Sequence, residues 1–302
     1  MGALRRGRIS LFALVAAGGC LAVPPDPDDQ TQRPASVCDG DPGLAEGDPF
    51  PWSIASLPGW SQGEASAADV EEWLSVTGVF NHVLHGSIAA TPAGNVTYQG
   101  GDLSGSTQSC AGIVAAHRLG YPILVVLGGD GGDDFLLEAT SEENRPALVA
   151  SLLDFIDRHG YDGVSLAWIS GVEETQLTAL VEDLSSAFAG RDRRPLLTVD
   201  VSSGSVSPSV SAGWVGAVDA INVMSYGTDW EDEIQRHLDA GVPPDVIDLG
   251  IGLVVRDTSR ASVAAKIEAA VVAGLHGVES WELGALASGD DPRLVAYEQL
   301  FR

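Results

Sequence analysis

The chain has 302 residues, 45% of them hydrophobic, with 42 acidic side chains against 16 basic ones and a net charge of −26. That length and apolar content suffice for a full core and exclude disorder throughout. The acidity excludes nucleic acid as a partner, because phosphates need Lys and Arg clusters, and excludes electrostatic docking on anionic lipid; its plain role is solubility.

The N-terminus is ordered like an export signal. MGALRRGR is basic, ISLFALVAA is apolar but too short to span a bilayer, and GGC places small residues before Cys20. The pattern resembles a bacterial lipoprotein signal, with Ala17 where that class usually has Leu. The resemblance implies removal of residues 1–19, lipid on Cys20, and an exported chain anchored at the cell envelope, on the outer membrane or cell surface. The alternative is plain secretion with Cys20 lost. Removal takes Arg5, Arg6 and Arg8 and no acid, leaving 13 basic residues and a net charge of −29. With Cys20 lipidated, Cys38 and Cys110 remain as an even pair in an oxidising compartment, suited to a disulfide that ties the tail to the domain. Residues 20–48 are rich in Pro, Asp and Gly without a hydrophobic period, so they read as a disordered tether, with order beginning near Phe50.

From there apolar runs alternate with helical patterns. SIASL and GVFNHVLHGSIA are strand-like, and between them Ser66 and Asp69 open a helix with Val70, Trp73, Leu74 and Thr77 at helical spacing. YPILVVLGG is a buried-strand run. A helix opened by Thr140 and Glu143 follows, with Leu148, Leu152, Phe155 and Ile156 on one face and a stop at Gly160. The strand DGVSLAWI leads to a helix carrying Leu177, Leu180, Val181, Leu184 and Phe188, closed by Gly190. PLLTVDV, DAINVMSY, VIDLGIGLVV and HGVESWEL complete eight strand candidates, the last two separated by the helical SVAAKIEAAVVAG. This rhythm predicts a single-domain (β/α)8 TIM barrel over residues 49–302. A doubly wound sheet is disfavoured because no GxGxxG opens a helix after the first strand.

Residues 121–168, together with AINVMSYG and GLHGVESWEL, resemble glycoside hydrolase family 18, the chitinase-like family. Its fourth strand ends in DGxDxDxE. Here Asp162, Gly163 and Trp168 match, but the remaining acidic positions are Ser165, Ala167 and Ile169. In that family the Glu protonates the glycosidic oxygen, and the Asp before it orients the substrate's N-acetyl group, which acts as nucleophile. The resemblance therefore implies a pseudoenzyme without chitinase activity. Other positions are retained: Met224 and Tyr226 match the family's M-x-Y pair, and Trp281 stands where an indole underlies the bound sugar. Trp168 and Asp130 complete the expected glycan contacts, with a solvated loop as the alternative reading of the acidic GGDGGDD run that holds Asp130. Only about 50 residues follow Gly252, so no insertion domain is expected and the cleft should be shallow.

Side chains two apart on a strand share a face, so Glu279 points inward if Trp281 does, as the resemblance implies, and Asp200 points inward if TVD aligns with the family's Ala on the fifth strand. Three readings follow. The chain is a glycan-binding barrel with hydrolysis lost; or Asp200 and Glu279 form a displaced catalytic pair opening to one cleft; or these acids, with His82 and His85, are a satisfied polar network in a scaffold barrel. Neither HExxH, a Cys/His cluster nor GxSxG is present, so no metal or cofactor is expected. Membrane contact is expected only through the N-terminal lipid.

Overall fold

The computed structural model describes residues 38–46, 49–98, 103, 105–129, 131–202, 204–227, 229–257, 259–286 and 291–301. The expected signal peptide, Cys20 and Asp130 lie outside them. One sheet contains β1 (Trp52–Pro58), β2 (His82–Ala90), β3 (Val96–Tyr98), β4 (Ile123–Gly128), β5 (Gly163–Ala167), β6 (Leu196–Val201), β7 (Ala220–Val223), β8 (Ile247–Gly252) and β9 (Gly277–Trp281). All except β3 are parallel, in the order β1-β9-β8-β7-β6-β5-β4-β2, and β1 also pairs with β2, so the sheet closes. Helices fill the crossovers, giving the expected (β/α)8 barrel. Strand β3, a three-residue antiparallel addition to the end of β2, is too short to leave a periodic signal. No helix among the described residues is long and apolar enough to cross a membrane.

Local chemistry fixes most helix ends. Ser66 and Asp69 form a reciprocal capping box at the start of helix Ala67–Thr77. The helix expected to open at Thr140 instead begins at Arg145. Thr140 donates its hydroxyl to Leu136 O, which closes a separate short turn, and Pro146 sits in the first turn of the longer helix, where a missing N–H costs little. That helix ends at Gly160, whose φ of 86° is open to glycine at no steric cost.

The barrel is packed in layers. Trp52, Ile54, Leu84, Leu124 and Ala220 seal its floor, and His82 stacks on Trp52 with centroids 4.1 Å apart. His85 faces the outer helices instead, held between Gln62 at 2.7 Å and the Tyr161 hydroxyl at 2.9 Å. Burial pushes its pKa down to about 3, so it is a neutral packing residue. The two histidines thus belong to the fold and do not join the carboxyls described below.

Order begins earlier than Phe50. Cys38 is bonded to Cys110, and Cys38 and Ala45 are buried. Asp41 accepts from His117 Nδ1 at 2.7 Å, while Asp162 Oδ2 receives its Nε2 at 3.0 Å. Residues 38–46 are therefore packed on the barrel and not part of a solvated tether, because the disulfide and a buried ion pair hold them. Asp162 also accepts from Ile123 N at 2.9 Å and Arg193 at 3.1 Å. A Cβ at Gly163 would lie 2.1 Å from Leu196 O. The retained half of the DGxDxDxE pattern is thus the half that the fold itself requires.

Burial disfavours the His117 cation, but the hydrogen bonds and charges of Asp162 and Asp41 outweigh it and raise its pKa to about 9. Relative to an unfolded value of 6.5, this contribution is fully present below that pH and is lost as pH rises through 9. Urea-unfolding midpoints should fall across that interval, and His117→Gln should flatten the decline. A wild-type midpoint that does not fall across it would refute this assignment.

Candidate functional site

Barrel strands deliver their C-terminal ends to one face, and there the described residues enclose a cavity of about 270 Å³. Its apolar walls include Trp60, Trp281, Met224, Leu84, Val126 and Ile169; Asp200, Tyr226, Ser56, Ser87 and Glu279 supply polar groups. The volume sits just below the roughly 300–1,000 Å³ typical of small-molecule sites. Trp60 and Trp281 meet edge to face, with centroids 5.6 Å apart, and Trp60 Nε1 donates to Glu282 at 3.1 Å.

Ser165, Ala167 and Ile169 alternate on β5 and its extension with one facing direction. Ala167 and Ile169 line the cavity, and Ser165 donates to Asp200 Oδ1 at 2.9 Å. Trp168, one residue out of phase, takes the other side. It is buried in the core against the helices, with Nε1 donating to Ser170 O at 2.9 Å, so it is not a cavity residue and the expected ligand contact is corrected. Asp133 fixes this strand end, accepting from Ile169 N at 3.0 Å and Ser170 N at 2.8 Å. The acidic loop therefore has a structural carboxylate three residues beyond Asp130.

Two carboxyls reach the cavity from opposite sides of β7. Register places Asp200 on β6 beside Asn222 on β7, and Gly250 on β8 beside Glu279 on β9. Asp200 Oδ1 accepts from Ser165 and, at 2.5 Å, from Asn222. Glu279 accepts from Ser56 through Oε1 and from the Tyr226 hydroxyl, 2.8 Å away, through Oε2. Burial raises both acids, opposed by these donors and reinforced by the Asp248 charge, and for Glu279 by the Asp200 charge as well: Asp200 to about 6 and Glu279 to about 7. Burial and the Glu279 charge push the Tyr226 phenol well above its ordinary value, so it remains a hydrogen-bond donor. Among the described residues no cluster of three His, Cys, Asp or Glu side chains could hold a metal ion.

The structure thus brings Met224, Tyr226, Trp281, Asp200 and Glu279 to one cavity. Trp60 was not singled out in the sequence, although an aromatic directly after a barrel strand lies where such sites form.

A model of the glycosyl hydrolases family 18 matches residues 59–262. No curated protein matches the chain. Among solved structures the fold is similar to that of a Group IV chitinase from Ostrinia furnacalis in complex with allosamidin, at 15% identity and TM-score 0.67, over 82% of this chain and 98% of that one. It is also similar to a chitinase from Cycas revoluta in complex with (GlcNAc)3, at 16% identity and TM-score 0.68, over 82% and 99%. A chitinase from Chromobacterium violaceum aligns at 18% identity and TM-score 0.63, over 83% and 98%.

Proposed function

This chain belongs to glycosyl hydrolase family 18, and we propose that it is an exported, envelope-anchored barrel that binds a glycan in the cavity at its C-terminal face without hydrolysing it as a chitinase does. The observation that carries this reading is the β5 wall: Ala167 and Ile169 line the cavity, and neither side chain can transfer a proton or hold an amide. The aromatic surfaces of Trp281 and Trp60 supply what a pyranose ring packs against, and Asp200 and Glu279 supply acceptors for its polar substituents. The (GlcNAc)3 bound by the Cycas revoluta chitinase supports an amino-sugar oligomer as ligand class. Lipid on Cys20 would hold the barrel at the bacterial outer membrane or cell surface.

Titration calorimetry with oligomers of N-acetylglucosamine and of glucosamine tests the binding. We expect saturable affinity for at least one of them, reduced by about 2 kcal/mol, roughly thirtyfold in Kd, in Trp281→Ala with the fold intact by near-ultraviolet circular dichroism. If neither oligomer binds, the reading fails. A second reading, hydrolysis by a displaced pair, is favoured by one observation: Asp200 and Glu279 open to the same cavity. Reducing-end release that disappears in both Asp200→Asn and Glu279→Gln would replace the first reading with this one.

A further inference from the structure

The cavity is ionically one-sided. Asp200 and Glu279 are its carboxyls, and none of its lining residues is Lys, Arg or His. Both acids are more than nine-tenths buried, at 8% and 3% exposure. Behind them stands Asp248, paired with His276 on its far side at 3.0 Å. The Lys266 ammonium lies outside the cavity lining and is committed to Asp257 and to two backbone carbonyls. Both described donors to Asp200 use Oδ1, leaving Oδ2 to the cavity. The Tyr226 hydroxyl is committed to Glu279.

Carboxyls buried in a cavity whose lining holds no cation are costly to ionise; Asp200 also raises Glu279, and the one cation that Glu279 is coupled to, Lys266, sits outside the lining and is hydrogen-bonded elsewhere. A neutral sugar would leave that cost in place, because hydroxyl and amide donors carry no net charge. A ligand ammonium would remove it, forming charge-assisted hydrogen bonds to both acids. We propose that the sugar ring seated at Trp281 carries a free amine, as in a 2-amino-2-deoxy pyranose of deacetylated chitin, and that its ammonium is held by Asp200 and Glu279. This rests on the glycan-binding reading above and narrows it to a cationic amino sugar.

The test is calorimetric titration of the full chain, at high salt to suppress attraction to its net negative charge, with glucosamine tetramer, N-acetylglucosamine tetramer and tetralysine. Near neutral pH the glucosamine tetramer should bind at least about tenfold more tightly than either of the others. That preference should shrink several-fold in Asp200→Asn and in Glu279→Gln, two variants of unchanged shape. Affinity for glucosamine tetramer should also weaken as pH falls through about 7 and about 6, where Glu279 and Asp200 take up protons. Equal or tighter binding of the N-acetyl tetramer would overturn the amine inference while leaving the glycan reading intact. Equal binding of tetralysine, or a preference unchanged in both variants, would overturn it as well. Failure of both sugars to bind would remove the glycan reading itself.

Discussion

Lys266→Met should unfold about 3–5 kcal/mol more readily than the wild type, measured by urea denaturation, because it leaves a buried carboxylate without its partner. Lys266 is 1% exposed, although it lies on the helix Arg260–Ala273 that packs outside the barrel. Its ammonium donates to Asp257 at 2.8 Å, to Ser225 O at 2.7 Å and to Gly250 O at 2.9 Å. Asp257 in turn accepts from Gly252 N at 2.9 Å. One buried cation thus ties the segment after β7 to β8 through Ser225, the residue between Met224 and Tyr226. Methionine fills the space but satisfies none of the three acceptors. The consequence reaches the cavity, so the variant should bind glycan more weakly even where it remains folded. The companion variant Lys266→Met with Asp257→Leu removes both charges and should recover part of the stability. A single variant as stable as the wild type would show that this ion pair does not support the fold.

Reduction of the Cys38–Cys110 bond should cost roughly 4 kcal/mol, because the bond closes a loop of 72 residues that the unfolded chain must otherwise explore. The expected observation is a large drop in the urea midpoint on adding reductant, matched by the double variant Cys38→Ala, Cys110→Ala without reductant. The loss should be accompanied by a lower His117 pKa, since Asp41 is carried on the released segment and supplies one of its two carboxylates. Equal midpoints in the oxidised and reduced forms would show that residues 38–46 stay docked through Asp41 and Ala45 alone.

The two acids of the cavity also lower stability as pH rises, in an interval that lies below that of His117 and overlaps it. A carboxyl whose folded pKa is raised destabilises the fold progressively as pH climbs from its unfolded value through its folded one. For Glu279 that interval runs from 4.5 to about 7. Buried acids kept at such a cost are a common feature of binding and catalytic sites, where stability is traded for function.

Much of this was legible in the chain. The eight strand runs, the capping box at Ser66 and Asp69, and the helix stop at Gly160 each follow from local periodicity or backbone freedom, and all are present. The replacement of three motif acids by Ser165, Ala167 and Ile169 can be read directly from the letters. The inward direction of Glu279 follows from counting by two from Trp281 along the strand, and that of Asp200 from the resemblance at TVD. Trp168 matches a motif, but the same count sets it opposite Ala167 and Ile169, and it packs into the outer core. The start of the helix at Arg145 was missed because Thr140 closes a turn with Leu136, a contact that no periodicity announces.

What the sequence by itself determined was therefore everything governed by neighbours along the chain: strand and helix identity, the facing of each side chain, and the absence of a proton donor at position 169. Only the tertiary structure decided that Asp200, Glu279 and Tyr226 converge on one cavity, that Trp60 joins Trp281 at its wall, and that residues 38–46 dock on the barrel. The physical reason is that convergence depends on the register between strands and on the closure of the sheet. β6 and β9 supply the two acids from 79 positions apart in the chain. Their meeting is set by hydrogen bonds that pass through β7 and β8, and no local pattern in either strand encodes it.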